Sequence, residues 1–402
     1  MRELTIKSVG PVFEAAISLE QVNVIIGPQS LGKSTVLKIA SYCSWVEKRI
    51  ELQQTPDYFS KGDNFISQLV IFHKMNGYFC NDSSIEYESE YMRFKYEHGT
   101  HSFSFNWKDA RWDYKRSKIT YIPAERNLVA VIPNWFEVSF NRNNIWNFMS
   151  EWETARKATT NRLDILNLDI AYQYEPTRKK DVIKIQNENT LEITDISSGL
   201  QSLIPLFVHL SYISNGLYQA ENARKIAGQW ENEELLQIIY NELFVKTGKT
   251  KAVHSIEREN EKGKKEKIKV RYGKTIGSLS LSFSYPKNID ECMEIYNRYL
   301  MTDHCDIFLE EPENNLFPPT QSRLIDWLFG LTTGEHKNTL FIATHSPYVL
   351  SSLLEKKSTN VGMFYNEEHD GMSVVKSVSD SDMQTIYDYG VDAFFNLDNL
   401  AE

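Results

Sequence analysis

The chain has few means of holding itself together by covalent or metal bonds. Cys43, Cys80, Cys292 and Cys305 are the only cysteines in 402 residues; they are widely scattered, with no CxxC spacing. That excludes a disulfide framework and the usual zinc arrangement, and predicts reduced, mostly buried thiols. His98 and His101 have a ligand-like spacing but no cysteine or carboxylate in register, so they read as ordinary polar residues. No apolar run approaches the roughly 20 residues of a membrane helix. Nor does any segment combine a basic start, an apolar stretch and a small-residue cleavage site, so the expectation is a cytoplasmic protein without membrane contact. Internal repeats and long linkers are also missing, which predicts one head over 1–402. Positive charge is short as well: 44 Lys and Arg against 54 Asp and Glu leave a formal −10, which argues against a surface that coats nucleic acid. One stretch departs from this. Lys246 to Lys274 holds 11 basic and 4 acidic residues, a net of +7, so the rest of the chain carries −17. It reads either as a solvated hairpin or as a docking surface for DNA, RNA or an acidic effector.

What is present begins with a strand, a glycine loop and a helix. Glu3–Val9 and Phe13–Leu19 read as strands joined at Gly10-Pro11, and they lead to an apolar strand at Val22–Ile26. Then come Gly27, Pro28, Gln29, Ser30, Leu31, Gly32, Lys33, Ser34 and Thr35, followed by a helical segment over Val36–Tyr42. This is the pattern of a P-loop: glycines turn backbone N–H groups onto a phosphate, and the helix N-terminus adds partial positive charge. Lys33 is placed to reach the β- and γ-phosphates of ATP. Ser34 is placed to coordinate Mg²⁺ through its hydroxyl.

Phe65 to Trp107 alternates aromatic and β-branched residues with polar ones and turn signals, which predicts an antiparallel side sheet. Ile119–Ile122 is a short strand ending in Pro123-Ala124-Glu125-Arg126. Asn144–Leu168 reads as helical, and the helical lobe with the segment leading into Ser197 spans about 131–218. Val182–Ile185 and Thr190–Ile193 resemble a hairpin. They deliver the chain to Ser197-Ser198-Gly199-Leu200-Gln201, which precedes an apolar helix over Leu203–Leu217 and offers a second anion site through hydroxyls, N–H groups and helix dipole. An insert over 219–286 carries a helix at Glu233–Phe244 and the basic run.

Asp306–Glu311 is an apolar strand ending in two acids, which places them at the sheet edge where the P-loop opens. Glu310 would hold Mg²⁺ through water, and Glu311 would polarise the attacking water. Thr339–Thr344 is a second apolar strand, ending in His345-Ser346-Pro347; a histidine there can bond the γ-phosphate and sense its loss.

Taken in order, these motifs resemble the ATP-binding-cassette class of P-loop ATPases over nearly the whole chain. The expected fold is therefore α/β: a parallel core sheet with an antiparallel side sheet, a helical lobe and an inserted helix and hairpin. Within that class, EEPENNLFP and THSPYVLSSL look like the ATPase heads of the overcoming-lysogenization-defect family and of the Septu and PARIS antiphage systems; YIPAER at Tyr121–Arg126 resembles a stretch of those heads too. The resemblance implies ATP and Mg²⁺ as ligands and a head-to-head homodimer or higher even oligomer, in which Ser198 and Gly199 of one protomer close on ATP held by the other. Ser197 and Gln201 belong to the same nucleotide contact, and Arg126, standing where a connecting-loop glutamine is usual, is counted with it. Leu31, Glu310 and Leu200 depart from the family pattern; these departures bear on the hydrolysis rate.

Four functions compete. The first is a regulatory ATPase gating an effector, a nuclease encoded nearby, in antiphage defence. The second, an OLD-type nuclease, would need a metal-binding TOPRIM domain after His345; the 402 − 345 = 57 residues there are expected to form a hairpin and an end helix instead. The third is a DNA-repair or SMC-like ATPase acting on nucleic acid, which would need long heptad arms. A transporter subunit is the fourth, and the motif endings disfavour it.

Overall fold

The computed structural model describes residues 2–132, 134–138, 140–185, 189–226, 232–253, 255–259, 264–356, 361–369 and 371–389. Lys262 of the basic run and the chain after 389 lie outside the described residues.

Eleven strands form one sheet, in the order Ser102–Trp107, Met92–Glu97, Phe79–Glu88, Arg2–Val9, Val12–Leu19, Met372–Ser377, Val361–His369, Val22–Ile26, Thr339–Ala343, His304–Glu310 and Ser117–Ile122. The last five run parallel to one another. The first five are antiparallel ribbons, and Met372–Ser377 joins the two regions by pairing parallel with Val12–Leu19 and antiparallel with Val361–His369. This is the expected α/β architecture. The P-loop strand sits in the parallel region with all five residues buried, because both faces are covered. Val22, Val24 and Ile26 face the helical lobe and Ile25 faces the P-loop helix, the alternation a strand imposes.

Several local expectations are corrected. Phe65–His73 is not part of the side sheet but a helix, Asn64–His73; Phe65, Ile66, Leu69 and His73 are buried at helical spacing. The P-loop helix runs much further than Tyr42, over Lys33–Gln53. The lobe helix stops at Ala158, short of Leu168. Thr159 caps it by bonding Ala155 O through both its N–H and its hydroxyl, and the next residues form short strands at Leu163–Asp164 and Ala171–Glu175. Those strands join Lys180–Lys184 and Thr190–Glu192 in a four-stranded sheet over the lobe, of which the sequence showed only one hairpin. The helix after the serines starts at Ser198 rather than Leu203 and passes through a π turn at Tyr212–Gly216. Beyond His345 a short helix, Pro347–Leu354, precedes the hairpin Val361–His369 and Met372–Ser377.

The basic run forms a hairpin, Ser255–Glu259 with Lys265–Lys269, whose second strand is exposed throughout. Lys265 and Glu257 approach to 3.8 Å across it. No described helix is long and apolar enough to cross a membrane.

Candidate nucleotide site

The loop Gly27–Gly32 is shaped by close backbone approach on two sides. Gly27 has φ +142, and a Cβ there would meet the carbonyl oxygen of Asn366 at 2.9 Å. Gly32 has φ +91, and its Cβ would lie 2.7 Å from Val12 Cγ2 and 2.9 Å from Pro11 Cγ. Both positions require glycine, for conformation and for space. Pro28, Gln29 and Ser30 are exposed, Leu31 is buried beneath them, and Ser30 adopts a positive φ of 69. Gly32 stands at the N-cap of the P-loop helix; no side chain caps it and no acid lies in its first turn, so the first N–H groups face the loop unclaimed by side chains. Ser34 is half-buried and Thr35 is buried.

Lys33 is buried and donates to the carbonyls of Gly27 at 2.8 Å and Pro28 at 2.6 Å. Burial lowers its pKa to about 8, against the pull of Glu311 and Glu313, which favour the charge. Above pH 8 the free protein therefore loses this proton, whereas phosphate beside the ammonium would keep it. We expect ATP affinity to be level below about pH 8 and to fall by up to about tenfold per unit above it, with proton uptake on binding. Calorimetry in buffers of different ionisation enthalpy measures that uptake. Its absence in wild type, or its persistence in Lys33→Met, would contradict the assignment.

Glu310 ends its strand buried, and its Oε2 accepts the N–H of Ala124 at 3.3 Å. Glu311 turns the chain out of the sheet with φ +43 and donates its N–H to Ala343 O at 2.8 Å. Its carboxylate Oε1 lies 3.9 Å from His345 Nε2. Burial first, then the neighbouring Glu313 and Glu310, raise the Glu311 pKa, which makes the carboxylate a stronger base. Burial and Lys33 push His345 down to about 4, so at neutral pH the ring is uncharged and its contact with Glu311 is not an ion pair. A neutral ring there still has one N–H to donate.

Two residues that shape this site escaped the sequence reading. Glu313 accepts from the Thr344 hydroxyl at 2.9 Å and the His345 N–H at 2.7 Å, clamping the turn after the acids to the end of the histidine strand. The run of acids after the strand was visible, but which of them turned back was not. Asn366, wholly buried in the C-terminal hairpin, donates to Leu31 O at 2.7 Å and so fixes the loop from 335 residues away. Nothing local signalled that contact.

Arg126 requires a correction. Expected among the nucleotide contacts, it is buried and donates to four carbonyls: Ser202 at 3.3 Å, Glu310 at 2.9 Å, Glu311 at 2.7 Å and Pro312 at 3.2 Å. It is a positioning residue that ties the helix Ser198–Ser211 to the end of the double-acid strand. Two further contacts lock the same junction. Asn315 donates to the Ser202 hydroxyl at 3.0 Å, and a Cβ on Gly199 would lie 2.8 Å from Asn315 O. Ser197 and Ser198 are exposed at the start of that helix, where no side chain forms a cap. Gln201 reaches back to Thr194 O at 3.0 Å and so steadies the turn before the helix, which leaves the serines, not the glutamine, on the open side.

An Mg²⁺ ion would find two protein oxygens here, Ser34 Oγ and the Glu310 carboxylate. Among the described residues no group of three or more His, Cys, Asp or Glu could hold a metal. The donor set fits an ion that takes its other ligands from phosphate and water.

No family model matches the chain, and no curated protein does. Among solved structures it is similar to an SMC head domain from Thermotoga maritima, at 11% identity and TM-score 0.42, covering 94% of this chain and 98% of that one. It is also similar to an Smc head bound to the C-terminal winged-helix domain of ScpA (9%, TM-score 0.42, 95% and 98%). A third similar structure is the Smc head with an extended coiled coil bound to the C-terminal domain of ScpA derived from Pyrococcus furiosus (9%, TM-score 0.41, 96% and 99%). Identities this low speak only to architecture, and the functional reading rests on the geometry of the loop and the residues around it.

Proposed function

We propose that this protein is an ATP-hydrolysing regulatory head that dimerises around ATP and gates a partner effector, a nuclease, in bacterial antiphage defence. The observation that carries the ATPase reading is the meeting of Lys33, Glu311 and His345 around a glycine loop whose helix N-terminus is uncapped. Lys33 would release its carbonyls and turn to the β- and γ-phosphates. Glu311 would take a proton from water as the water oxygen attacks the γ-phosphorus and the bond to the ADP oxygen breaks. His345 would donate to the γ-phosphate as charge develops on it. Mg²⁺, held by Ser34 and through water by Glu310, would neutralise charge on the phosphates.

The second helix terminus supports the dimeric reading. Ser197 and Ser198 are exposed, with half-buried Gly199 packed against Asn315 behind them, and Arg126 connects their helix to the acids of the same protomer, so the state of one site could be felt at the other. The defence role rests on the resemblance of EEPENNLFP and THSPYVLSSL, and the nuclease would be supplied by a separate chain.

Mixing two inactive variants tests the composite site. Ser198→Arg keeps its P-loop and Lys33→Ala keeps its serines, so a mixed dimer holds one intact site; an equal mixture should recover roughly a quarter of wild-type turnover. No recovery at any ratio would overturn the dimeric site. Co-purification with the product of the adjacent gene, followed by an ATP-dependent DNA or RNA cleavage assay, tests the effector. A permease in that position would overturn the gating role.

A further inference from the structure

A cavity of about 550 Å³ opens on the flank of the P-loop helix, away from the phosphate loop. Ser41, on its wall, lies eight residues beyond Lys33, about 12 Å of helical rise. Four elements enclose it: the P-loop helix Lys33–Gln53, the helix Asn64–His73, the edge strand Ser117–Ile122 and the lobe helix Asn144–Ala158. The size is that of a small-molecule site rather than a packing defect.

Its lining combines flat apolar groups with an excess of positive charge. Trp45 and Phe72 supply ring surface, while Lys48, Arg49 and Lys118 face a single carboxylate, Glu151. Lys118 already uses that carboxylate, at 2.6 Å. Lys48 donates instead to the carbonyl of Ser117, at 2.6 Å, and Arg49 lies over the rings of Tyr58 and Trp45. Besides the paired Lys118, two further cations thus border the cavity, one bonded to a carbonyl and one lying over rings. Lys48 feels this directly: burial, with Arg116 and Lys118 nearby, lowers its pKa to about 7, a cost that a bound anion would relieve.

A second unusual group lies at the wall of the same space. His73 is fully buried and borders the cavity, yet neither ring nitrogen has a hydrogen-bond partner. Its ring packs edge-on against Tyr121 and Phe72, and burial keeps it neutral. A buried imidazole with both nitrogens unsatisfied is unusual in a native fold, because such groups are nearly always paired. Both nitrogens are shut off from the open space, so the ring closes the cavity wall rather than offering a ligand a bond.

We infer that this cavity binds a small aromatic anion, its ring lying against Trp45 and Phe72 and its negative group meeting Lys48 and Arg49. The site shares no residue with the nucleotide loop.

2-Naphthoate and its neutral counterpart 2-naphthamide are suitable probes, titrated into the full-length protein by calorimetry. Naphthoate should bind saturably and at least about tenfold more tightly than naphthamide. Lys48→Met, which keeps the stem and removes the charge, and Ser41→Trp, which fills the space, should each weaken naphthoate at least about tenfold while leaving ATP binding within about twofold of wild type. Two results would overturn the inference: equal affinity for the acid and the amide, or no saturable naphthoate binding up to about 1 mM. The acid and amide comparison uses the unaltered chain, so it decides the matter even where a variant does not fold.

Discussion

Lys33→Ala is expected to abolish ATP binding, while Glu311→Gln keeps it and stops turnover. Removing the ammonium deletes charge-assisted bonds to two phosphates, about 3 kcal/mol or more, which is a hundredfold or greater loss of affinity. The loop itself should survive, since Gly27 and Gly32 hold it by conformation and Asn366 by a bond to Leu31 O. Gln at 311 is isosteric and retains the φ +43 turn but cannot accept a proton, so turnover should fall by about 10²–10⁴. Nucleotide binding by fluorescence and phosphate release, measured on the same preparations, separate the two effects. Turnover by Glu311→Gln equal to wild type would remove Glu311 from the role of base and leave His345 or Glu313 to be tested.

Arg126→Ala should be the most destabilising single change at the site, by about 3–5 kcal/mol in denaturant unfolding. The guanidinium is a buried cation facing Glu313, Glu311 and Glu310, and its loss removes a donor from four carbonyls at once. Burial lowers its pKa to about 10, so it remains charged at neutral pH. Lysine should rescue little, because one ammonium cannot span carbonyls on a helix and on a strand end as a planar fork does. Turnover should also fall, since the acids and the serine helix lose their common anchor. A loss below about 1 kcal/mol with normal turnover would show that the Asn315 to Ser202 bond and the packing at Gly199 suffice.

What the sequence alone reveals depends on whether the physical cause is local. The P-loop could be read because a buried strand, two obligatory glycines and a helix start are all sequence-local devices. The double-acid strand and the histidine strand were legible for the same reason: each is an apolar run ending in polar residues. Their parallel pairing puts Glu310 beside Ala343, so Glu311 and His345 meet at one sheet edge. Helix ends were less legible. Thr159 stops the lobe helix by bonding Ala155 O, and a threonine in a helical pattern does not announce that by itself.

By itself, then, the sequence determined the α/β class, the order of the motifs and the types of residue offered to a phosphate, because glycine conformation, strand burial and helix polarity act within a few residues. Only the tertiary structure decided which of those residues face the loop. Arg126 looked like a nucleotide ligand and became a clamp, since its surroundings come from Ser202 and from Glu310 to Pro312, 76 and 184 to 186 residues away. Asn366 and the His73 cavity were illegible for the same reason: burial and hydrogen-bond satisfaction are properties of the assembled neighbourhood, and the chain states them only once distant segments have packed together.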